Sequence, residues 1–85
     1  MKLRNNKYGD CNIIGRKVEQ LRKDKKIKQK DFIAKLQLEG LDINPTSYSK
    51  LEGQIRIATD KEVFAIAKVL GIKTDDLFVE VFETD

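Results

Sequence analysis

Every apolar stripe in this sequence is short. Ile14, Val18 and Leu21 repeat at i, i+4 and i+7, and Phe32, Ile33 and Leu36 form a second set. Tyr48 and Leu51 form a third, and Val63, Ile66, Ala67 and Leu70 a fourth. Spacings of three and four residues place each set on one face of a helix. Between the sets stand Gly40, Asn44-Pro45, Gly53 and Gly71, residues that stop or start helices. The pattern predicts an all-α domain of five short helices around one core.

The expected boundaries follow from the caps. Helix one begins after Asn12 and runs to about Asp24, with Arg16, Lys17, Arg22 and Lys23 on the face opposite its apolar stripe, and helix two runs from about Gln29 to Leu38 with Gly40 as its stop. Asn44-Pro45 opens helix three, which ends at Glu52 before Gly53. Thr59 or Asp60 caps helix four, where Glu62 complements the dipole in the first turn and Gly71 closes the helix. Thr74 caps a last short helix containing Leu77 and Phe78. Residues 1–11 read as a flexible basic arm carrying Lys2, Arg4 and Lys7, and residues 12–78 as the domain. The tail 79–85 alternates apolar and polar residues, as a strand or a frayed helix would.

Composition removes several classes of chemistry. A chain of 85 residues holds one domain and has no room for a large enclosed pocket. It contains no histidine and a single cysteine, Cys11. Histidine-based acid–base catalysis, an internal disulfide and a Cys-cluster zinc site are therefore all excluded, and we expect neither an enzyme nor a cofactor. No apolar run approaches the ~18 residues of a membrane span, and the N-terminus lacks the apolar stretch of a signal peptide. The expected location is the cytoplasm.

The net charge of +3 hides an asymmetry. Residues 1–37 carry 12 Lys/Arg against 4 Asp/Glu, whereas residues 38–85 carry 5 against 10. The first part attracts polyanions and the second does not. Charge alone does not separate this reading from a solvated, lysine-rich surface.

Helix three carries the most chemistry. Tyr48 and Leu51 point inward, and Thr46, Ser47, Ser49 and Lys50 point outward. Short polar side chains on a helix let its backbone approach base edges in the DNA major groove, and a lysine reaches guanine O6 and N7. A polar outer face is also what any bundle helix presents, so this helix by itself leaves both readings open. The six aromatic residues are too scattered for a single-strand stacking platform. The acidic pairs Asp75-Asp76 and Glu80/Glu83 lack the ligand spacing of a cation loop.

The order of motifs adds more. Ile14-Gly15-Arg16, Leu21-Arg22, Gln29, Phe32, Tyr48-Ser49-Lys50-Leu51-Glu52, Ile66 to Ile72 and Asp76-Leu77-Phe78 together resemble the XRE-type, lambda-repressor/Cro-like helix-turn-helix family. The resemblance covers about residues 13–78 and implies DNA-binding transcriptional regulators, often autoregulatory repressors that act as homodimers on palindromic double-stranded operators. It implies base reading by Asn44, Pro45, Thr46, Ser47, Ser49 and Lys50. It implies backbone contacts from Gln29 and Arg56, and the basic residues Arg16, Lys23 and Lys28 are further candidates for phosphate. Arg22 and Glu52 match a family pair that joins helix one to helix three. Three departures stand out: Ile33 falls where the family has a small alanine, the segment from Gln37 to Asn44 is longer than in the simplest members, and Gln54 occupies the place of a family glycine.

The tail residues Val79, Val81 and Phe82 are candidates for a dimer contact, and equally for a cap on the chain's own core. A protein-interaction module on the same fold, such as an antitoxin or adaptor, is the alternative function; no membrane or small-molecule partner is expected.

Overall fold

A computed structural model describes residues 11–78. The basic arm, Cys11 apart, and the tail 79–85 lie outside the described residues. Four α-helices follow one another: α1 (Gly15–Asp24), α2 (Gln29–Leu38), α3 (Pro45–Glu52) and α4 (Asp60–Leu70). All regular structure among the described residues is helical.

The expected fifth helix is a single 3₁₀ turn, Thr74–Leu77. Its backbone bonds span three residues, from Asp76 N to Lys73 O and from Phe78 N to Asp75 O, both at 3.0 Å. Lys73, not Thr74, flanks its start, with its N–H donating to Asp76 Oδ2 at 3.2 Å. The expected start of helix one is corrected as well. Asn12 stands just outside α1, and its Oδ1 accepts from the N–H groups of Ile14 at 3.1 Å and Gly15 at 2.8 Å. It thus satisfies early donors that the helix itself leaves unpaired.

The core gathers residues from every element: Ile14 and Val18, Phe32, Ile33 and Leu36, Tyr48 and Leu51, Ala65, Ile66, Ala67 and Leu70, and finally Leu77. Helix α1 packs on α3 and α4, α2 packs on α3 and α4, and the 3₁₀ turn packs on α4. The Phe32 and Tyr48 rings meet tilted, with centroids 5.6 Å apart, at the α2–α3 contact. Ile33 is buried while Ala34 is exposed, so the larger side chain has been taken into the core. The longer α2–α3 connection is pinned by buried Ile43, whose carbonyl accepts from Gln37 Nε2 at 2.9 Å.

All four helices end alike. A residue in the left-handed region turns the chain, and the next N–H reaches back five residues to a helix carbonyl. The left-handed residues are Lys26, Gly40, Gln54 and Gly71. The returning bonds run from Ile27 to Arg22, Leu41 to Leu36, Ile55 to Lys50 and Ile72 to Ala67, at 3.0–3.1 Å. Gln54 holds this conformation at φ 63°, whereas Gly53 beside it is an ordinary right-handed residue. The displaced glycine in the sequence therefore leaves a non-glycine residue at the turning position.

Candidate nucleic-acid interface

Helix α3 is built to hold one face in and one face out. Pro45 supplies a first-turn residue whose missing N–H costs nothing there, and Asn44 Oδ1 accepts from Ser47 N at 2.8 Å. Tyr48, Leu51 and Glu52 are buried. Asn44, Pro45, Thr46, Ser49 and Lys50 are exposed, and Ser47 is half-buried. Asn44 thus spends its oxygen on the cap and keeps its amide nitrogen outward.

The inward side is polar as well as apolar. Arg22, counted on the outer face of helix one from its spacing, is buried. Its Nε and Nη2 donate to Glu52 Oε2 at 2.7 Å and Oε1 at 3.2 Å, and Nη1 donates to the Ile27 carbonyl at 2.7 Å. Tyr48 also donates its hydroxyl to Glu52 Oε2. The bond to Glu52 raises the Arg22 pKa against the opposing effect of burial. Burial, reinforced by the bond to Glu52, pushes the Tyr48 phenol well above its ordinary range. The result is a buried, charged joint between α1 and α3.

Gln29, at the first position of α2, extends this joint outward. Its Nε2 donates to Glu52 Oε1 at 3.1 Å, and its Oε1 accepts from Ser49 Oγ at 3.2 Å. A carboxylate only accepts, so the nitrogen of the Gln29 amide must face Glu52. The structure brings Gln29 and Ser49 together on the outer edge where α2 meets α3.

Arg56 is placed differently from a free phosphate ligand. Its Nε donates to the Ser47 carbonyl at 2.8 Å and its Nη1 to the Ile57 carbonyl at 2.7 Å. Nη1 and Nη2 also grip Glu62 Oε1 and Oε2 at 2.9 and 2.8 Å. Burial opposes ionisation of Glu62, but the bonds from Arg56 and Thr59 outweigh it and hold its pKa below the ordinary value. Glu62 completes a reciprocal cap with Thr59 at the start of α4. Arg56 therefore ties α3 to α4 and keeps few donors for anything else.

The remaining basic candidates are exposed. Arg16 and Lys28 are open to solvent, Lys28 immediately before α2. Lys23 is exposed and pairs with Glu19 at 2.9 Å. Lys25, Lys26 and Lys30 add further charge around the α1–α2 turn. The first turn of α3, Lys50 and Ile55 line a shallow concavity of about 530 Å³ on the outer face.

Two positioning residues were not among the site candidates read from the sequence. Asn12 donates through Nδ2 to the carbonyls of Leu51 at 3.0 Å and Arg56 at 2.9 Å, clamping the end of α3 to the start of α1. Gly15 also lies against the Leu51 carbonyl: an added Cβ would clash with Leu51 O and stand 2.8 Å from Glu52 O. Only the Ile14-Gly15-Arg16 motif hinted at that close approach.

Among the described residues, no group of three His, Cys, Asp or Glu stands ready to hold a metal. None of the described helices is long and apolar enough to cross a membrane. Comparisons with curated proteins and with solved structures return no match. Residues 18–77 match a family model described as Helix-turn-helix, spanning α2, the turn, α3 and α4 together with most of α1. With α2 and α3 joined across the Gln29–Ser49 edge and that match covering most of the chain, the protein belongs to the XRE-type helix-turn-helix family of DNA-binding regulators.

Proposed function

We propose that this protein is a sequence-specific transcriptional repressor that acts without catalysis, reading the major groove with α3. The observation that carries the reading is the division of α3 itself. The buried Arg22–Glu52–Tyr48 joint fixes the helix from within, while Thr46, Ser49 and Lys50 stand exposed on its other side. Base edges are then met by Thr46, Ser49 and Lys50, with Asn44, Pro45 and Ser47 bordering them. Gln29, Arg16, Lys23 and Lys28 meet the phosphates, which position the protein without specifying sequence. Arg56 acts through Ser47, by holding the helix, and touches the backbone with little more than its last free N–H.

The homodimer belongs to the same proposal. Val63, Phe64 and Phe78 line an apolar groove of about 640 Å³, and Phe64 is 64% exposed. We assign this groove to the second copy, with the tail 79–85 as a further candidate contact; a dimer of this kind would read half-sites about 34 Å apart, one helical turn. Removing residues 79–85 lowers the sedimentation mass if the tail joins the copies; an unchanged mass removes the tail from this role.

The test of function is binding to the DNA upstream of the protein's own gene, against shuffled DNA of equal length, across a salt series. Tight, sequence-dependent binding that falls steeply with salt supports the reading. Equal, weak binding to both at low salt refutes it for that DNA and directs the search toward a protein partner.

A further inference from the structure

The Glu52 carboxylate is filled with donors. Its Oε2 accepts from Arg22 Nε and the Tyr48 hydroxyl, and its Oε1 accepts from Arg22 Nη2 and Gln29 Nε2. Two bonds at each oxygen use the capacity of a group that has nothing to donate in return. The Gln29 amide therefore has one allowed orientation, because turned by half a rotation it would set its own oxygen against a carboxylate oxygen. In that orientation Gln29 Oε1 faces Ser49 Oγ at 3.2 Å. An amide oxygen also only accepts, so the single hydroxyl proton of Ser49 lies in this bond.

The consequence reaches the surface. Ser49 is exposed on α3, and its hydroxyl keeps only lone pairs for a group that meets it from outside. Its neighbours have the opposite sign. Lys50 only donates, and Asn44 spends its oxygen on the cap and turns its amide nitrogen outward. In the major groove the donors are adenine N6 and cytosine N4, whereas guanine and thymine present acceptors. An acceptor-only hydroxyl bonds to the first two bases and meets the other two lone pair against lone pair. A free serine, by contrast, turns to donate or to accept and suits either class.

We infer that Ser49 reads an amino-bearing base, adenine or cytosine, as a fixed acceptor, and that Gln29 is the positioning residue that sets this polarity. The inference rests on the DNA-reading function proposed above and deepens it by naming the base class that one residue selects.

The test uses the full-length protein. Bound sequences are selected from a pool of random duplexes. Each adenine of the enriched site is then replaced by unsubstituted purine, and each cytosine by 2-pyrimidinone, changes that remove only the exocyclic amino group. One replacement should weaken binding by about three- to tenfold, the effect of one hydrogen bond. The looser base pair is common to every protein tested, so comparison between variants isolates the contact. Ser49→Ala, an exposed change checked by an unchanged thermal melt, should erase that penalty and leave other positions discriminating as before. Gln29→Ala should let guanine or thymine enter the same position, because the Ser49 proton is then free to donate. A lost phosphate contact or a loosened fold would instead weaken all sequences alike. A penalty that is absent or persists in Ser49→Ala, or a base preference unmoved by Gln29→Ala, overturns the fixed acceptor alone. A pool with no enriched sequence overturns DNA reading itself, and the acceptor with it.

Discussion

The Arg22 guanidinium and the Glu52 carboxylate meet side-on through two bonds, 2.7 and 3.2 Å, although thirty residues of chain separate them. Both side chains are buried, at 6% and 5% exposure. Their value lies less in net stability than in what each becomes without the other. Arg22→Leu leaves Glu52 charged, buried and supported only by Tyr48 and Gln29. We expect a loss of about 3–5 kcal/mol in unfolding free energy, measured by urea titration. A loss under about 1 kcal/mol would show that the joint is dispensable.

The Arg56–Glu62 pair makes stability depend on pH in a definite direction. Glu62 has a folded-state pKa below the 4.5 of an unperturbed glutamate. Its contribution is fully present above pH 4.5 and is lost as the pH falls through the lower, folded value. Thermal melts should therefore show the midpoint falling with pH below this point, and Glu62→Gln should show a smaller fall. At pH 7 the same variant should be about 1–2 kcal/mol less stable, having lost charged partners for Arg56. Parallel acid profiles for the two proteins would contradict the assignment.

Lys26 offers a stabilising change. It is exposed and holds φ 60°, a conformation that strains any residue with a Cβ. Lys26→Gly should raise stability by about 0.5–1 kcal/mol, read from the urea midpoint. Gln54 is a less clean target, because its side chain donates to the Asn12 carbonyl at 3.1 Å and would be lost.

Gly15 should tolerate no side chain. An alanine there pushes into the carbonyls of Leu51 and Glu52, which belong to backbone and cannot swing aside. Gly15→Ala is expected to cost at least about 2 kcal/mol and to weaken specific DNA binding, since α3 must shift. A variant as stable as the parent would show that α1 and α3 are not held so close.

Lys50 and Lys28 separate base reading from phosphate contact. Lys50 stands exposed on α3, and Lys28 stands exposed before α2. Lys50→Ala should alter which sequences are preferred, whereas Lys28→Ala should weaken all sequences alike and reduce the salt slope by about one. Lys23 is a poorer probe because it already pairs with Glu19. Identical effects of the two changes on specific and random DNA would remove Lys50 from base reading.

Helix positions were legible because each depends on neighbours in the chain. The Asn44-Pro45 start and Gly53 stop bounded α3, and the spacing of Val63, Ile66, Ala67 and Leu70 marked α4. The last turn was misjudged as a helix because Thr74 has a capping side chain, yet the segment is only four residues long and closes with three-residue bonds. Arg22 was half legible: its position on α1 suggested the solvent face, and only resemblance paired it with Glu52. Arg56 shows what local sequence leaves out. A basic residue after a recognition helix suggests phosphate, but nothing local reveals that Glu62 and the Ser47 carbonyl have taken its donors.

The sequence by itself therefore determined the all-helical class, the order of four helices and the outward polar face of α3, since periodicity and caps act over a few residues. Tertiary structure alone decided that Asn12 and Gly15 clamp the end of α3, that Gln29 is oriented by Glu52, and that Ile55 stays outside the core. Each of these requires two segments far apart in the chain to meet at fixed distance and angle. Such geometry arises from packing of the whole domain and leaves no periodic trace in either segment.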